Sequence, residues 1–276
     1  MRSFQKRFSS NKLSVGFLSS LWKVALGCGW VSISSGAVVF SENFNSYANG
    51  NLSGQGPWLA TAAAATPIQV SSGRAQLGTS GQDEYAAFGS PVNNLDGTSF
   101  YYGLTLNLIS AQATGDYFFH VSNPAGTTSL FYERVFARSS GAGFQLGFVE
   151  TSGSTTTWGT TVLSLNTDYR VVVAQNFVAG AVNDTFSLYV NPTDLTVEAN
   201  NTPYLTRTWT SATAETATYA AVNLRQGSAG SAAAAFVDDI LISKTFSDVA
   251  PVPEPSSLAF AVLTGFALLG WLKFRK

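Results

Sequence analysis

Carboxylates, one imidazole and a few indoles are the side chains of this sequence best equipped for chemistry. Two carboxyl groups about 5 to 5.5 Å apart can cleave a glycosidic bond with retention, and on a single strand such acids stand two residues apart, because alternate side chains share a face. Glu42, Glu84, Glu133, Glu150, Glu198 and Glu215 all lack an Asp two residues on. His120 is the single histidine. It falls in a run, 116–122, whose alternation puts it on one face with Phe118 and Ser122. A packed or exposed imidazole is the plain reading of such a residue and a general base the sharper one; no Ser/His/Asp arrangement is readable from spacing. One histidine and one cysteine, Cys28, can form neither a Cys/His zinc site nor an internal disulfide.

Hard-oxygen chemistry is better represented. The carboxylates of Asp238 and Asp239 alternate across a closing strand, and if that strand pairs with the first one, one of them can approach Glu42. Calcium takes ligands of this kind, although a full site needs about six to eight oxygens and no Asp-x-Asp-x-Asp-Gly loop is present. The competing reading is a pair of strand-end acids held by backbone or arginine. Trp58, Trp158 and Trp209 lie in Gly/Thr/Ser-rich surroundings suited to loops or strand edges. An indole there can stack on the apolar face of a sugar ring, or can equally pack the core. Tyr101, Tyr132 and Tyr189 carry the same ambiguity.

These residues sit on a body that reads as strands. Tyr102, Leu104, Leu106 and Leu108 alternate with Tyr101, Gly103, Thr105 and Asn107, and the runs containing Phe144, Leu146 and Phe148 and Phe186, Leu188 and Val190 alternate likewise. One buried and one exposed face is the antiparallel pattern. Further strands are expected at 37–44, 85–88, 116–122, 130–138, 169–177, 219–225 and 236–243, and the Ala-rich pieces 60–66 and 228–235 read as loops or strand approaches. Ten or so strands without a linker between them predict one antiparallel two-sheet sandwich over residues 38–250.

Charge divides the chain differently. Eight of the 15 bases lie before residue 38 or after residue 272, whereas all 16 acids lie between Glu42 and Glu254. The middle therefore carries seven bases against 16 acids, a net of about −9, which disfavours nucleic acid as a partner. Residues 1–37 read as a secretory signal peptide: a basic stretch, an apolar stretch, then Ser35-Gly36-Ala37, with cleavage by signal peptidase before Val38. An uncleaved anchor is the alternative, and a lipobox at Ala25-Leu26-Gly27-Cys28 fits poorly beside Lys23 and Trp30. At the other end Pro253-Glu254-Pro255 precedes an apolar span, 258–272, and a basic tail, Lys273-Phe274-Arg275-Lys276. The span is apolar on every face and long enough to serve as a short transmembrane helix, and the tail would stay in the cytoplasm; a buried core helix is the bland alternative.

Two resemblances follow from these residues. Val252-Pro253-Glu254-Pro255-Ser256, the span and the basic end resemble, over residues 251–276, the PEP-CTERM sorting signal of bacterial surface and matrix proteins. That resemblance implies an exosortase as partner, processing at the outer face of the inner membrane after a stage anchored there, and delivery to the cell surface or an exopolysaccharide matrix. Glu42-Asn43-Phe44-Asn45-Ser46-Tyr47, the segment Asn51-Leu52-Ser53-Gly54-Gln55-Gly56-Pro57-Trp58 and the closing Phe236-Val237-Asp238-Asp239-Ile240-Leu241-Ile242 are similar to the concanavalin A-like jelly roll. This implies that the two terminal strands lie side by side; the galactose-binding-like jelly roll is the structural runner-up. The Glu-x-Asp-x-x-Glu triplet of the laminarinase-like members and the Gln-x-His element of the related lyases are both missing, His120 being preceded by Phe118 and Phe119. The expectation is thus a non-catalytic structural or glycan-binding domain with no cofactor beyond possible calcium. A carbohydrate-active enzyme with acids gathered from separate strands is the alternative. A reporter active only outside the cytoplasm, fused after Val249, should be active in the intact host. A silent reporter with the fusion protein present overturns the export reading.

Overall fold

The computed structural model describes residues 38–62 and 66–250. The expected signal peptide at 1–37, the sorting motif Pro253, Glu254 and Pro255, and the apolar span 258–272 lie outside those residues. In chain order the described part forms β1 (Phe40–Glu42), β2 (Gly50–Asn51), β3 (Trp58–Ala60), β4 (Gln69–Ser71), β5 (Arg74–Leu77) and β6 (Glu84–Asn93). Then come β7 (Ser99–Ser110), β8 (Asp116–Ser122), β9 (Phe131–Ser140), β10 (Gly143–Thr151), β11 (Thr157–Trp158) and β12 (Asp168–Asn176). The last elements are β13 (Thr185–Val190), β14 (Leu205–Thr208), β15 (Thr218–Leu224), β16 (Ala234–Ser243) and a one-turn helix, α1 (Phe246–Val249). Among the described residues no helix is long and apolar enough to cross a membrane.

The strands build two antiparallel sheets. The nine-stranded sheet runs β14-β13-β12-β7-β16-β5-β4-β2, with β1 also on β16, and the seven-stranded sheet runs β11-β10-β9-β8-β15-β6-β3. Strand β16 lies against β7 along one edge, while its other edge is shared by β5 at Ala235–Val237 and by β1 at Ile240–Ile242. The first and last strands are therefore neighbours, as the jelly-roll resemblance implies. Strands β2, β3, β4, β5, β11 and β14 are two to four residues long, too short for alternation to register.

The core lies between the sheets. Tyr102, Leu104, Leu106 and Leu108 are wholly buried, as are Phe144, Leu146, Phe148 and Leu188, because period-two alternation sends all of them inward. Aromatic rings from the two sheets meet there: Tyr102 on Phe119 at 5.1 Å, Phe100 on Tyr219 at 5.0 Å and Phe148 on Phe186 at 5.0 Å between centroids. Each such side chain removed from water contributes about 2 kcal/mol before entropy is counted.

The face of β7 opposite the core departs from the expected solvent exposure. Tyr101, Val172, Ala174 and Tyr189 form a second apolar cluster, sealed by Phe246, Val249 and Ala250 from α1 and its end. The two tyrosine hydroxyls donate to the two oxygens of Glu198, at 2.8 and 2.9 Å. Arg170 fastens this lid, giving hydrogen bonds of 3.0 and 2.5 Å to the Val249 carbonyl and one of 2.7 Å to that of Asp239. A guanidinium suits the task because its planar fork can serve two carbonyls at once. Part of one outer face of the sandwich is thus covered by the chain itself.

One buried acid has neither of its oxygens satisfied among the described residues. Glu133, at a positive φ of 50°, is wholly buried, and neither carboxyl oxygen has a hydrogen-bond partner among the described residues. The nearby Tyr219 hydroxyl donates instead to Gln175 Oε1, 2.8 Å away. Burial pushes the Glu133 carboxyl from its usual 4.5 up to about 8, so it is held neutral at pH 7. Between those values the unfolded chain binds fewer protons than the native one, so this group makes stability fall as pH rises from about 4.5 to about 8. Glu84, raised by burial to about 7, adds a slope of the same sign. Glu133→Gln should leave the urea midpoint nearly unchanged at pH 4.5, raise it at pH 8, and flatten the profile between.

Candidate functional site

The outer face of the seven-stranded sheet gathers aromatic rings and guanidinium groups side by side. Strand β8 approaches it through a bulge: its register against β9 shifts between Tyr117 and Phe119 and again between Phe119 and Val121. Phe118 and Phe119 consequently both enter the core, and Tyr117 and His120 turn outward together. Across the ladder Tyr117 faces Phe136, and on the next strands Phe136 faces Gly147 and Gly147 faces Trp158. The result is a row of four half-buried rings, Phe131, Tyr117, Phe136 and Trp158, with successive centroids 6.3, 5.3 and 6.2 Å apart. Two glycines seat Trp158. A Cβ on Gly147 would stand 2.7 Å from the indole, and one on Gly115, at φ +69°, would stand 2.7 Å from the indole and 2.8 Å from Arg138.

Guanidinium groups lie over these rings. Arg225 is 4.0 Å and Arg134 5.0 Å from the Tyr117 centroid, Arg134 is 5.6 Å from that of Phe136, and Arg138 is 4.4 Å from that of Trp158. Cation–π attraction of about 0.5 to 2 kcal/mol per pair holds such layers together. What this face presents outward is a set of N–H donors over an aromatic floor. At one end a cavity of about 290 Å³ opens between Thr61, Asp83, Tyr117, Thr128, Phe131 and Arg225. Thr61 Oγ1 is buried without a partner there. Beyond the other end, starting at Thr157 beside Trp158, a groove of about 550 Å³ is lined by Ser154, Thr156, Thr210, Ser211 and Thr213.

The carboxylates nearest the aromatic row are engaged. Arg225 stands between Asp116, at 2.7 Å, and Asp83, at 3.7 Å, and Asp83 also accepts the Gln226 amide at 3.0 Å. Burial raises the Asp83 carboxyl against the pull of those partners. Glu150, below the hydroxyl-lined groove, is paired with Arg207 and accepts from Ser154 and from the Thr210 and Ser211 amides.

Of the three expected stacking residues, only Trp158 keeps an accessible ring. Trp58 is 0% and Trp209 2% exposed, so neither can meet a sugar. Their indole N–H groups are used inside, Trp58 donating to Glu42 at 3.1 Å and Trp209 to the Thr213 carbonyl at 3.0 Å. The expected calcium ligands do not converge. Glu42 pairs with Ile240 and points inward, accepting from Trp58, from the Phe44 amide at 2.8 Å and from the Tyr47 hydroxyl. Asp238 lies instead near Arg74, at 3.7 Å, and Asp239 takes a positive φ of 46° at a bulge and accepts from Thr105 at 3.3 Å. No group of three or more His, Cys, Asp and Glu side chains disposed to hold a metal occurs among the described residues.

His120 is 1% exposed, packed between Tyr117 at 5.4 Å and Phe131 at 4.4 Å, and neither ring nitrogen has a partner. Burial, reinforced by Arg225 and Arg134, holds its pKa well below the ordinary value. It therefore backs the cavity as a neutral imidazole and shares no face with Phe118. Tyr117, Phe136, Arg134, Arg138 and Arg225 are the site residues that spacing arguments overlook. The signal available for three of them was Arg134, Phe136 and Arg138 at alternate positions of an expected strand.

No protein-family model and no curated protein matches the sequence. Solved structures with similar sandwich outlines include the globular domain of T. cruzi calreticulin (9% identity, 75% of this chain and 88% of that one, TM-score 0.48). Domain 4 of AbnA, a GH43 extracellular arabinanase from Geobacillus stearothermophilus in complex with arabinotriose, aligns at 11% identity over 79% and 100%, TM-score 0.47. Lectin UEA-II complexed with galactose aligns at 13% over 76% and 100%, TM-score 0.44.

The arrangement around Glu42 makes a direct prediction. Glu42→Ala leaves a buried indole N–H and a buried amide without an acceptor, which should cost about 3 kcal/mol. A lowered urea midpoint at unchanged slope checks it, and adding calcium to the wild type should not reproduce the difference.

Proposed function

We propose that the body is a glycan-binding domain and that it works by adhesion. The observation that carries this is the outer face of the seven-stranded sheet: four half-buried rings in a row, layered with guanidiniums and flanked by a hydroxyl-bearing cavity and a hydroxyl-lined groove. Carbohydrate recognition calls for this mixture, because a sugar offers C–H patches to an aromatic surface and hydroxyls to donors and acceptors arranged around it. The concanavalin A-like form of the jelly roll is our reading of the sandwich, supported by the pairing of its first and last described strands.

Export belongs to the same proposal. A signal peptide at 1–37 and a PEP-CTERM-like end at 251–276 would carry the domain across the inner membrane, hold it there by 258–272, and release it through an exosortase to the cell surface or an exopolysaccharide matrix. The order of motif, apolar span and basic tail supports this. Glu254→Ala should then leave export intact while the unprocessed, membrane-bound form accumulates.

The enzyme reading finds its best acids in Asp83 and Asp116. A glycosidase needs one carboxyl free to give a proton and another free to attack or to activate water. Arg225 stands between these two and holds both as its counter-charges. Incubated with polysaccharides from its host, the protein should be retained and should release no reducing ends. Trp158→Ala removes the floor beneath Arg138 and should weaken retention about three- to tenfold. Steady release of reducing ends would replace the adhesion reading with an enzymatic one.

A further inference from the structure

The charge pattern of this same face narrows its ligand, an inference that rests on the glycan-binding reading. Of the six arginines in the acidic body, Arg74, Arg207 and Arg225 have carboxylates within 4.0 Å, and Arg170 is spent on backbone carbonyls. Arg134 and Arg138 have no carboxylate partner among the described residues. Arg134 gives one hydrogen bond, to the Thr151 carbonyl at 2.5 Å, and its buried Nε has no acceptor. Arg138 gives two, both to Gln145 Oε1, at 3.1 and 2.9 Å. Each guanidinium has five N–H donors, so most of the donor capacity of this pair is unused.

Leaving two cations half-buried and unpaired costs desolvation with no Coulombic return. Burial lowers the Arg134 pKa, as an uncompensated charge requires. The rings of Tyr117, Phe136 and Trp158 hold the guanidiniums flat, which fixes their forks in advance of a ligand. A planar fork held this way matches a carboxylate through two parallel hydrogen bonds.

We propose that the ligand of this face is an acidic polysaccharide whose carboxylates are held by Arg134 and Arg138. The spacing suits a polymer. The two residues are four apart on β9, about 13 Å between their Cα atoms at 3.3 Å per residue, and each guanidinium is held over its own ring. Carboxylates repeated along a chain can serve both, and the second contact then forms at high effective concentration. The net negative charge of the body acts against this only at range, being screened beyond about 8 Å at physiological salt.

The test uses the full chain in mild detergent with three probes: polygalacturonate, the same polymer fully methyl-esterified, and the neutral glucan laminarin. Polygalacturonate should bind at least tenfold more tightly than its ester, and Arg138→Gln and Arg134→Gln should each remove most of that preference. Arg138→Lys, which keeps the charge and loses the fork, should fall between, and an unchanged thermal midpoint in that variant separates recognition from folding. Equal binding of polygalacturonate and its ester, or binding of laminarin alone, overturns the acidic ligand and leaves the glycan-binding reading standing. No binding of any of the three overturns both. Preference for polygalacturonate that survives both glutamine substitutions overturns the assignment to these arginines.

Discussion

Phe118 and Phe119 are consecutive, and both lie in the core. A regular strand cannot bury two neighbours on one face, since successive side chains point to opposite sides. Strand β8 meets the demand by breaking register with β9 on either side of Phe119. Burying both rings is worth several kcal/mol, more than the ladder bonds disturbed at a bulge. Its consequence on the other side of the sheet is decisive: Tyr117 turns outward with the buried His120 packed against it, Tyr117 comes opposite Phe136, and the aromatic row extends to Trp158. The geometry of the aromatic row is thus set by packing inside the sandwich.

The same sheet accommodates its arginines by a mechanism suited to an acidic protein. Where Arg74, Arg207 and Arg225 are matched by carboxylates, Arg134 and Arg138 are matched by rings. A ring face supplies attraction without supplying a full negative charge, so it can hold a guanidinium in place while leaving its electrostatic demand largely unmet. Small residues make the layer possible. Gly147 and Gly115 admit Trp158 so close to the backbone that its indole lies under Arg138.

Which parts of this were legible in the sequence follows from what alternation can encode. Strands with an unbroken apolar core face, such as β7, β10 and β13, announce themselves because every second residue on that face is apolar. The opposite face of β7 misled, since the residues that cover Tyr101 and Tyr189 belong to α1, more than fifty positions downstream of Tyr189, and no local pattern records a contact at that range. Trp58 and Trp209 stand in loop-like sequence yet reach the core, because an indole can bury its area wherever an acceptor, here Glu42 or the Thr213 carbonyl, takes its N–H. The calcium expectation let one of Asp238 and Asp239 approach Glu42 through strand adjacency, and the adjacency is correct, but the bulge at Asp239 breaks the alternation: Glu42 points into the core opposite Ile240, and Asp238 turns away from it toward Arg74.

The two outer faces also differ in what the chain does with them. Helix α1 and Ala250 lie on the outer face of the nine-stranded sheet, fastened by Arg170 to the Val249 carbonyl, so the described chain ends on that side. The arginine-aromatic face belongs to the other sheet and looks the opposite way. An attachment made through residues 251–276 would therefore pull on a point backed by a buried apolar cluster and a guanidinium clamp, on the opposite side from the arginine-aromatic face. Tension applied there would load the nine-stranded sheet first. The Tyr117–Phe136–Trp158 row is carried on separate strands of the other sheet, with the core between it and that point.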